Sequence, residues 1–351
     1  MADRAPSAVT GARPAFLADS CLRTLGTLSD CRLCIAECPV AAIAPGDRDV
    51  AVDDACIGCG RCTAVCPTEA LRSGHNDIAT LAAHASRVEP LSVECERVPK
   101  ELRSPNTVSP PCLGALGINE LLALQERAGA APVEIVDRQW CNDCPAGGEA
   151  QPPGAAARER VARLLAEAGL ARRAPILVAR MAGKSRRDDG APRHRSRRAF
   201  LRRFVPSAAA APAPPARSKE SRRKELLALL RRIGGAVLPA SVFPEVRIGE
   251  RCADNRLCAS VCPTGALKTY ADASIGVEYH AEHCIACGAC VAICPERAVS
   301  LSPGGAHAPA GPIRLTTRRL RTCSRCDADF SARDDAQELC PNCRKDTELF
   351  G

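Results

Sequence analysis

Twice the chain carries the run C-x2-C-x2-C-x3-C-P: Cys56, Cys59, Cys62, Cys66 and Pro67, then Cys284, Cys287, Cys290, Cys294 and Pro295. No other feature limits the fold so tightly. Thiolates at this spacing converge from one short loop; in two-cluster iron–sulfur proteins the first three hold one cluster and the fourth crosses to its neighbour. Each complete run therefore requires a partner run close in space.

The partner runs are present, and both are incomplete. Cys31, Cys34, Cys38 and Pro39 precede the first run, with Leu28 where a leading cysteine is expected and Cys21 available across a short insertion. Cys252, Cys258, Cys262 and Pro263 precede the second, with Asn255 at the second cysteine position. Letting the fourth cysteine cross over yields Cys56, Cys59, Cys62 and Cys38 as one set, and Cys21, Cys31, Cys34 and Cys66 as another. In the later half the sets are Cys284, Cys287, Cys290 and Cys262, and the three-thiolate set Cys252, Cys258 and Cys294. The last set suits a 3Fe-4S cluster, or a 4Fe-4S cluster with one iron open to a non-cysteine ligand. The alternative for the incomplete halves is that they have lost their clusters and persist as packing.

This pattern resembles the bacterial ferredoxins that hold two 4Fe-4S clusters, and it occurs in two modules, 18–72 and 244–304. The resemblance implies an α+β fold of duplicated βαβ units with up to four such clusters. Short helices are expected just after each C-P, over 40–43 and 68–71 in the first module and from C-P-T-G-A-L and C-P-E-R-A-V in the second.

With 23 cysteines and 3% aromatic residues, the chain offers little for one large apolar core, so metal ligation is expected to hold much of the fold. Cysteines at metal-ligand spacing argue against a disulfide scaffold and for a reducing compartment. No apolar run reaches the length of a membrane span and the N-terminal stretch has no apolar signal core, so a cytoplasmic location is expected. The net charge of +8 is uneven. Residues 158–232 hold 22 Lys and Arg against 6 Asp and Glu, which leaves the rest of the chain acidic.

Between the modules, 73–180 reads as strands at 91–94, 133–136 and 175–178 alternating with helices at 75–88, 118–128 and 155–168, a small α/β parallel-sheet domain. Cys95, Cys112, Cys141 and Cys144 fall after strands or extended segments, where sites of parallel sheets collect. Their contexts, VECERVP, PPCLGALGINELLAL and EIVDRQWCNDCPAGG, resemble the small iron–sulfur subunit found with methyl-viologen-reducing hydrogenase and heterodisulfide reductase. That resemblance implies one cluster on these four residues, a 2Fe-2S cluster; zinc or plain buried thiols compete with it.

Residues 181–243 read as an Arg-rich, then Ala/Pro-rich linker with one helix at 219–233. Within it, SRRAFLRRF followed by a ferredoxin module resembles the accessory ferredoxins of periplasmic nitrate reductase. The arginine pair lies in mid-chain, which argues against export. In the tail, 314–351, Cys323, Cys326, Cys340 and Cys343 form paired C-x2-C motifs, a tetrahedral zinc pattern of ribbon type; mononuclear iron uses the same geometry.

No dinucleotide-binding glycine motif, flavin motif or nucleophile–base constellation is present, so no catalytic residue is assigned. The expected function is electron transfer through several clusters to or from a larger redox enzyme. The alternative is an accessory protein in the maturation of a molybdenum or other metalloenzyme. Nucleic-acid binding by the basic stretch and zinc tail is the weakest reading, because aromatic residues are few and no recognition motif occurs.

Overall fold

The structure, a computed structural model, describes residues 12–73, 90–147, 153–170, 176–180, 221–234, 238–305, 309–332 and 336–350. Helix and sheet are mixed along its whole length. The helix expected over 75–88 and the SRRAFLRRF segment lie outside the described residues.

In the first segment, β1 (Ala15–Phe16) pairs antiparallel with the later strand Leu71–Arg72, and β2 (Ile43–Pro45) pairs antiparallel with β3 (Val50–Val52). Two short helices, α1 (Leu33–Ala36) and α2 (Arg61–Val65), carry the cysteine loops, and Leu71–Arg72 forms β4.

The middle segment builds a four-stranded sheet from β5 (Leu91–Val93), β6 (Thr107–Val108), β7 (Val133–Asp137) and β8 (Ile176–Arg180), in the order β6-β5-β7-β8. Every pairing in it is parallel. Helices α3 (Ile118–Ala128) and α4 (Ala155–Glu167) supply the crossovers, and Leu91, Val93, Val133 and Leu121 are sealed from solvent. Strands buried this way need β-branched or Leu residues on both faces.

Helix α5 (Ser221–Gly234) follows, within the stretch that composition marks as linker. It is part of the core. Leu227, Leu229 and Leu230 are buried in one apolar cluster that runs from the parallel sheet to Val246, Val277 and Tyr279 of the later segment. Burial of each leucine contributes about 1.5–3 kcal/mol. The expectation of little apolar core is thus corrected: Leu, Val, Ile and Ala make up most of it, with Phe243 and Tyr279 as its aromatic members. Two arginines at the start of α5 fasten three parts of the chain. Arg222 donates to the Ala64 carbonyl (2.9 Å) and pairs with Glu120 (2.7 Å). Arg223 donates to the carbonyls of Val242 (2.6 Å), Ala281 (3.3 Å) and Glu282 (3.3 Å).

In the later segment β9 (Glu245–Ile248) pairs antiparallel with Val299–Ser302, and β10 (Leu267–Ala271) pairs antiparallel with β11 (Ile275–Tyr279). Helices α6 (Leu257–Ser260) and α7 (Ala289–Ile293) occupy the cysteine loops, and Val299–Ser302 is β12. The expected helix positions are therefore corrected in both halves: each helix precedes its C-P, and a strand follows it. The residue before proline is driven to extended backbone, as Cys66 (ψ 114°) and Cys294 (ψ 108°) show. Left-handed turns at Ala41, Glu69, Gly265 and Arg297 then redirect the chain before a helix can start.

The tail adds β13 (Ile313–Arg314) to the edge of β11, a hairpin of β14 (Arg319–Thr322) and β15 (Asp329–Ala332), and α8 (Pro341–Phe350). Its own core is small: Phe330 and Ala332 pack with Cys323, Cys340 and Cys343. The tail is fastened to the Cys252 loop through buried Asp254, which accepts from Thr316 Oγ1 (3.2 Å) and Ser331 Oγ (2.7 Å). No described helix is long and apolar enough to cross a membrane.

Candidate metal centres

None of the 23 cysteines forms a disulfide. They gather instead into separate groups. Cys21, Cys31, Cys34 and Cys66 line one cavity, with Phe16, Leu22 and Ala70 supplying apolar walls. The one-turn helix α1 brings Cys34 to it, and the C-P turn swings Cys66 in from the other loop. Cys62 stands close to Cys59, Cys56 and Cys38 and also to Cys34 of the first set. Burial pushes the Cys62 thiol up to about 12 and that of Cys34 up to about 11, with neighbouring thiolates adding to the effect.

In the later segment Cys262, Cys284, Cys287 and Cys290 line a second cavity, walled by Val246, Leu267 and Leu301. Burial again dominates and raises Cys290 to about 12. Cys258 faces Cys252 and Cys294 and is raised to about 11, chiefly by burial. Asn255, at the position that lacks a cysteine, is exposed.

The middle group sits beyond the carboxyl ends of β5 and β7. Cys95, Cys112, Cys141 and Cys144 line a third cavity with Pro111, Leu113 and Gly147. Two features hold it in shape. Glu94, fully buried beside Cys95, pairs with Arg138 (2.8 Å) and accepts from the Ser104 backbone N–H (2.8 Å). Gly147 lies so close to the Cys141 carbonyl that a Cβ there would overlap it. Burial raises Cys112 to about 12 and Cys141 to about 11.

Backbone amides point at the sulfurs throughout: Ala42 N–H at Cys38, Ala70 at Cys66, Gly114 at Cys112, Leu267 at Cys262 and Ala298 at Cys294, all within 3.2–3.4 Å. Such donors stabilise thiolate over thiol. The tension between burial, which opposes thiolate, and these amides, which favour it, is relieved when the sulfurs ligate a cation. Sets of soft thiolates around small apolar cavities fit iron–sulfur clusters in ligand type and number.

The tail group is of a different shape. The sulfurs of Cys323, Cys326, Cys340 and Cys343 all lie within 4.8 Å of one another, and the Cys326 and Cys340 sulfurs are 3.8 Å apart. The last value matches the edge of about 3.8 Å for a tetrahedron built on metal–sulfur bonds of about 2.3 Å. One ion fits there. Backbone N–H groups of Cys340 and Arg325 hold the Cys323 thiol below its ordinary range.

Contacts between groups were not visible in the motifs. Cys59 packs with Cys112 and Ala146 in one apolar cluster, and Arg61 spans the same junction. Its guanidinium donates to the Ala146 (3.1 Å) and Gly147 (2.8 Å) carbonyls and pairs with Glu37 (2.6 Å). Helix α7, which carries Cys290, rests against the 3-10 segment Leu22–Leu28 next to Cys21. A basic residue inside the first C-x2-C-x2-C loop was the one available sequence signal for the Arg61 junction.

Residues 245–295 match the family of the 4Fe-4S dicluster domain, and residues 28–76 match the LdpA Fe-S cluster-binding domain. No curated protein matches the chain.

Proposed function

We propose that this iron–sulfur protein is an electron-transfer component that relays single electrons to or from a larger redox enzyme. Bound clusters supply reversible one-electron storage at potentials set by hydrogen bonding, charge and burial. In this reading 18–72 and 244–304 are ferredoxin-type modules, the middle group holds a 2Fe-2S cluster, and the tail holds structural zinc.

The observation that carries the reading is the order in which the cysteine groups adjoin. Cys112 of the middle group neighbours Cys59, Cys34 neighbours Cys62, α7 rests on the segment beside Cys21, and Cys290 neighbours Cys258. The groups thus form a series rather than scattered sites. The chain's own residues keep that series fixed. Arg61 clamps the middle group to the first module, Arg222 and Arg223 tie both modules to α5, and apolar side chains wall three of the cysteine cavities. The acidic balance outside 158–232 would steer a partner with a basic docking face.

A reductive titration of the anaerobically reconstituted full chain, followed by EPR, tests this. Several reversible one-electron steps are expected. Clusters that are present yet show no reversible reduction at potentials accessible to ferredoxins would overturn the relay and leave a role in metalloenzyme maturation.

A further inference from the structure

The set Cys252, Cys258 and Cys294 is one thiolate short, and the residues around the gap identify what replaces it. Asn255 occupies the missing cysteine's place, but its side-chain oxygen is already committed, accepting the Leu257 backbone N–H (3.2 Å). The amide nitrogen of the same side chain points at the Glu296 carboxylate, at 3.2 Å from Oε2 and 3.4 Å from Oε1. Glu296 follows the C-P turn; its Oε2 stands 3.8 Å from the Cys294 sulfur, and a swing of the side chain away from that sulfur, toward Asn255, would carry a carboxylate oxygen to a different iron. The opposite cysteine loop therefore brings an anionic oxygen donor to the gap, with Asn255 as its hook, while the neighbouring Asp254 carboxylate is taken up by Thr316, Ser331 and Arg256.

We propose that Glu296 is the fourth ligand of this site, binding an iron(II) ion through a carboxylate oxygen where the other three positions use thiolate. This rests on the iron–sulfur reading above. Taken up by a three-iron cluster that dithionite has reduced by one electron, the iron(II) ion forms three bonds to core sulfides and one to the carboxylate oxygen, releases its water ligands and transfers no further electron. A carboxylate is a harder donor than a thiolate and holds a soft-ligated iron less firmly. Asn255 is exposed and Glu296 half-buried, so the corner they share opens to solvent. The consequence is one exchangeable iron per chain at a defined corner of the molecule, open to displacement by another divalent cation or to an added ligand.

The test uses the full chain, reconstituted anaerobically with iron(II) and sulfide, in parent, Glu296→Gln and Asn255→Cys forms. Iron and sulfide per chain, the EPR signal of oxidised 3Fe-4S clusters, and the rate of iron loss to EDTA are recorded. The parent is expected to release about one iron per chain in a fast phase, consistent with one non-thiolate corner. Glu296→Gln is expected to lack that iron from the start and to show the 3Fe-4S signal at full intensity with sulfide unchanged. Asn255→Cys is expected to keep the iron and slow its release at least tenfold. A Glu296→Gln protein with parental iron content and EDTA kinetics overturns the assignment. So does a parent that already shows the full 3Fe-4S signal and takes up no added iron(II) after reduction with dithionite. Failure of any cluster to assemble in all three forms would instead strike at the iron–sulfur reading itself.

Discussion

Replacing Arg223 by alanine removes the buried side chain that joins α5 to the loop leading into Cys284, leaving the exposed Arg231–Glu282 pair (2.6 Å) as a second link to that loop. Arg223 is 8% exposed, its guanidinium donates to three backbone carbonyls, and its Cζ lies over Phe243 at 5.4 Å from the ring centre. Burial holds its pKa below the usual arginine range, with the charge on Cys284 the largest opposing influence. The 2.6 Å bond to Val242 is charge-assisted and contributes about 1.5–3 kcal/mol. The desolvated cation over the ring adds about 1–2 kcal/mol, and the two 3.3 Å contacts add less. A loss of about 3–5 kcal/mol is expected, a large share of the 5–15 kcal/mol that holds typical domains. Native-state hydrogen exchange on the anaerobic full chain reads this locally. Amides of α5 and of 279–284 should exchange at least a hundredfold faster, while those of α2 change little. Arg223→Lys should recover part of the protection, because one ammonium keeps the charge but cannot reach three diverging carbonyls. Exchange in Arg223→Ala within about threefold of the parent would refute the claim that α5 is a strut.

Three further outcomes follow from the geometry. Gly147→Ala should empty the middle group, since the new methyl overlaps the Cys141 carbonyl; iron per chain should fall while 4Fe-4S EPR signals persist. Arg138→Ala strands the fully buried Glu94 carboxylate and should destabilise the parallel sheet by about 3–5 kcal/mol in urea unfolding, whereas Glu94→Gln with Arg138→Met should recover much of it. Cys323→Ser should abolish metal binding by the tail and expose it to limited proteolysis without lowering cluster iron, because Phe330 and Ala332 are nearly all the apolar core the tail possesses.

Much of the spatial grouping was legible because it is dictated over a few residues. Cysteine spacing and the proline after the fourth cysteine decide which sulfurs can face one another, and the structure puts Cys66 with Cys21 and Cys262 with Cys284. The parallel sheet was legible for a similar reason: its strands are short apolar runs between helical periods. The helices beside the C-P turns were misplaced, because the left-handed residues Glu69 and Arg297 give no compositional warning. The role of α5 was hidden by its charge. SRRKELLALLRR reads as a basic linker helix, and only tertiary contact reveals that Leu229 is buried and that Arg222 and Arg223 meet carbonyls from distant loops. The Asn255 defect was visible in sequence; the carboxylate opposite it, 41 positions away, was not.

On the proposed reading these cysteine groups hold iron–sulfur clusters in a connected series, with one mononuclear metal in the tail. Iron, acid-labile sulfide and zinc per chain, measured together with EPR on the anaerobic protein, test it most directly. About sixteen irons in the four ferredoxin-type sets, about two more in the middle group, sulfide in near-equal amount and about one zinc are predicted from cluster and zinc-site stoichiometry, with reduced-state spectra broadened by spin coupling between adjoining groups. Iron without sulfide, zinc throughout, or sharp spectra of magnetically isolated clusters would contradict it.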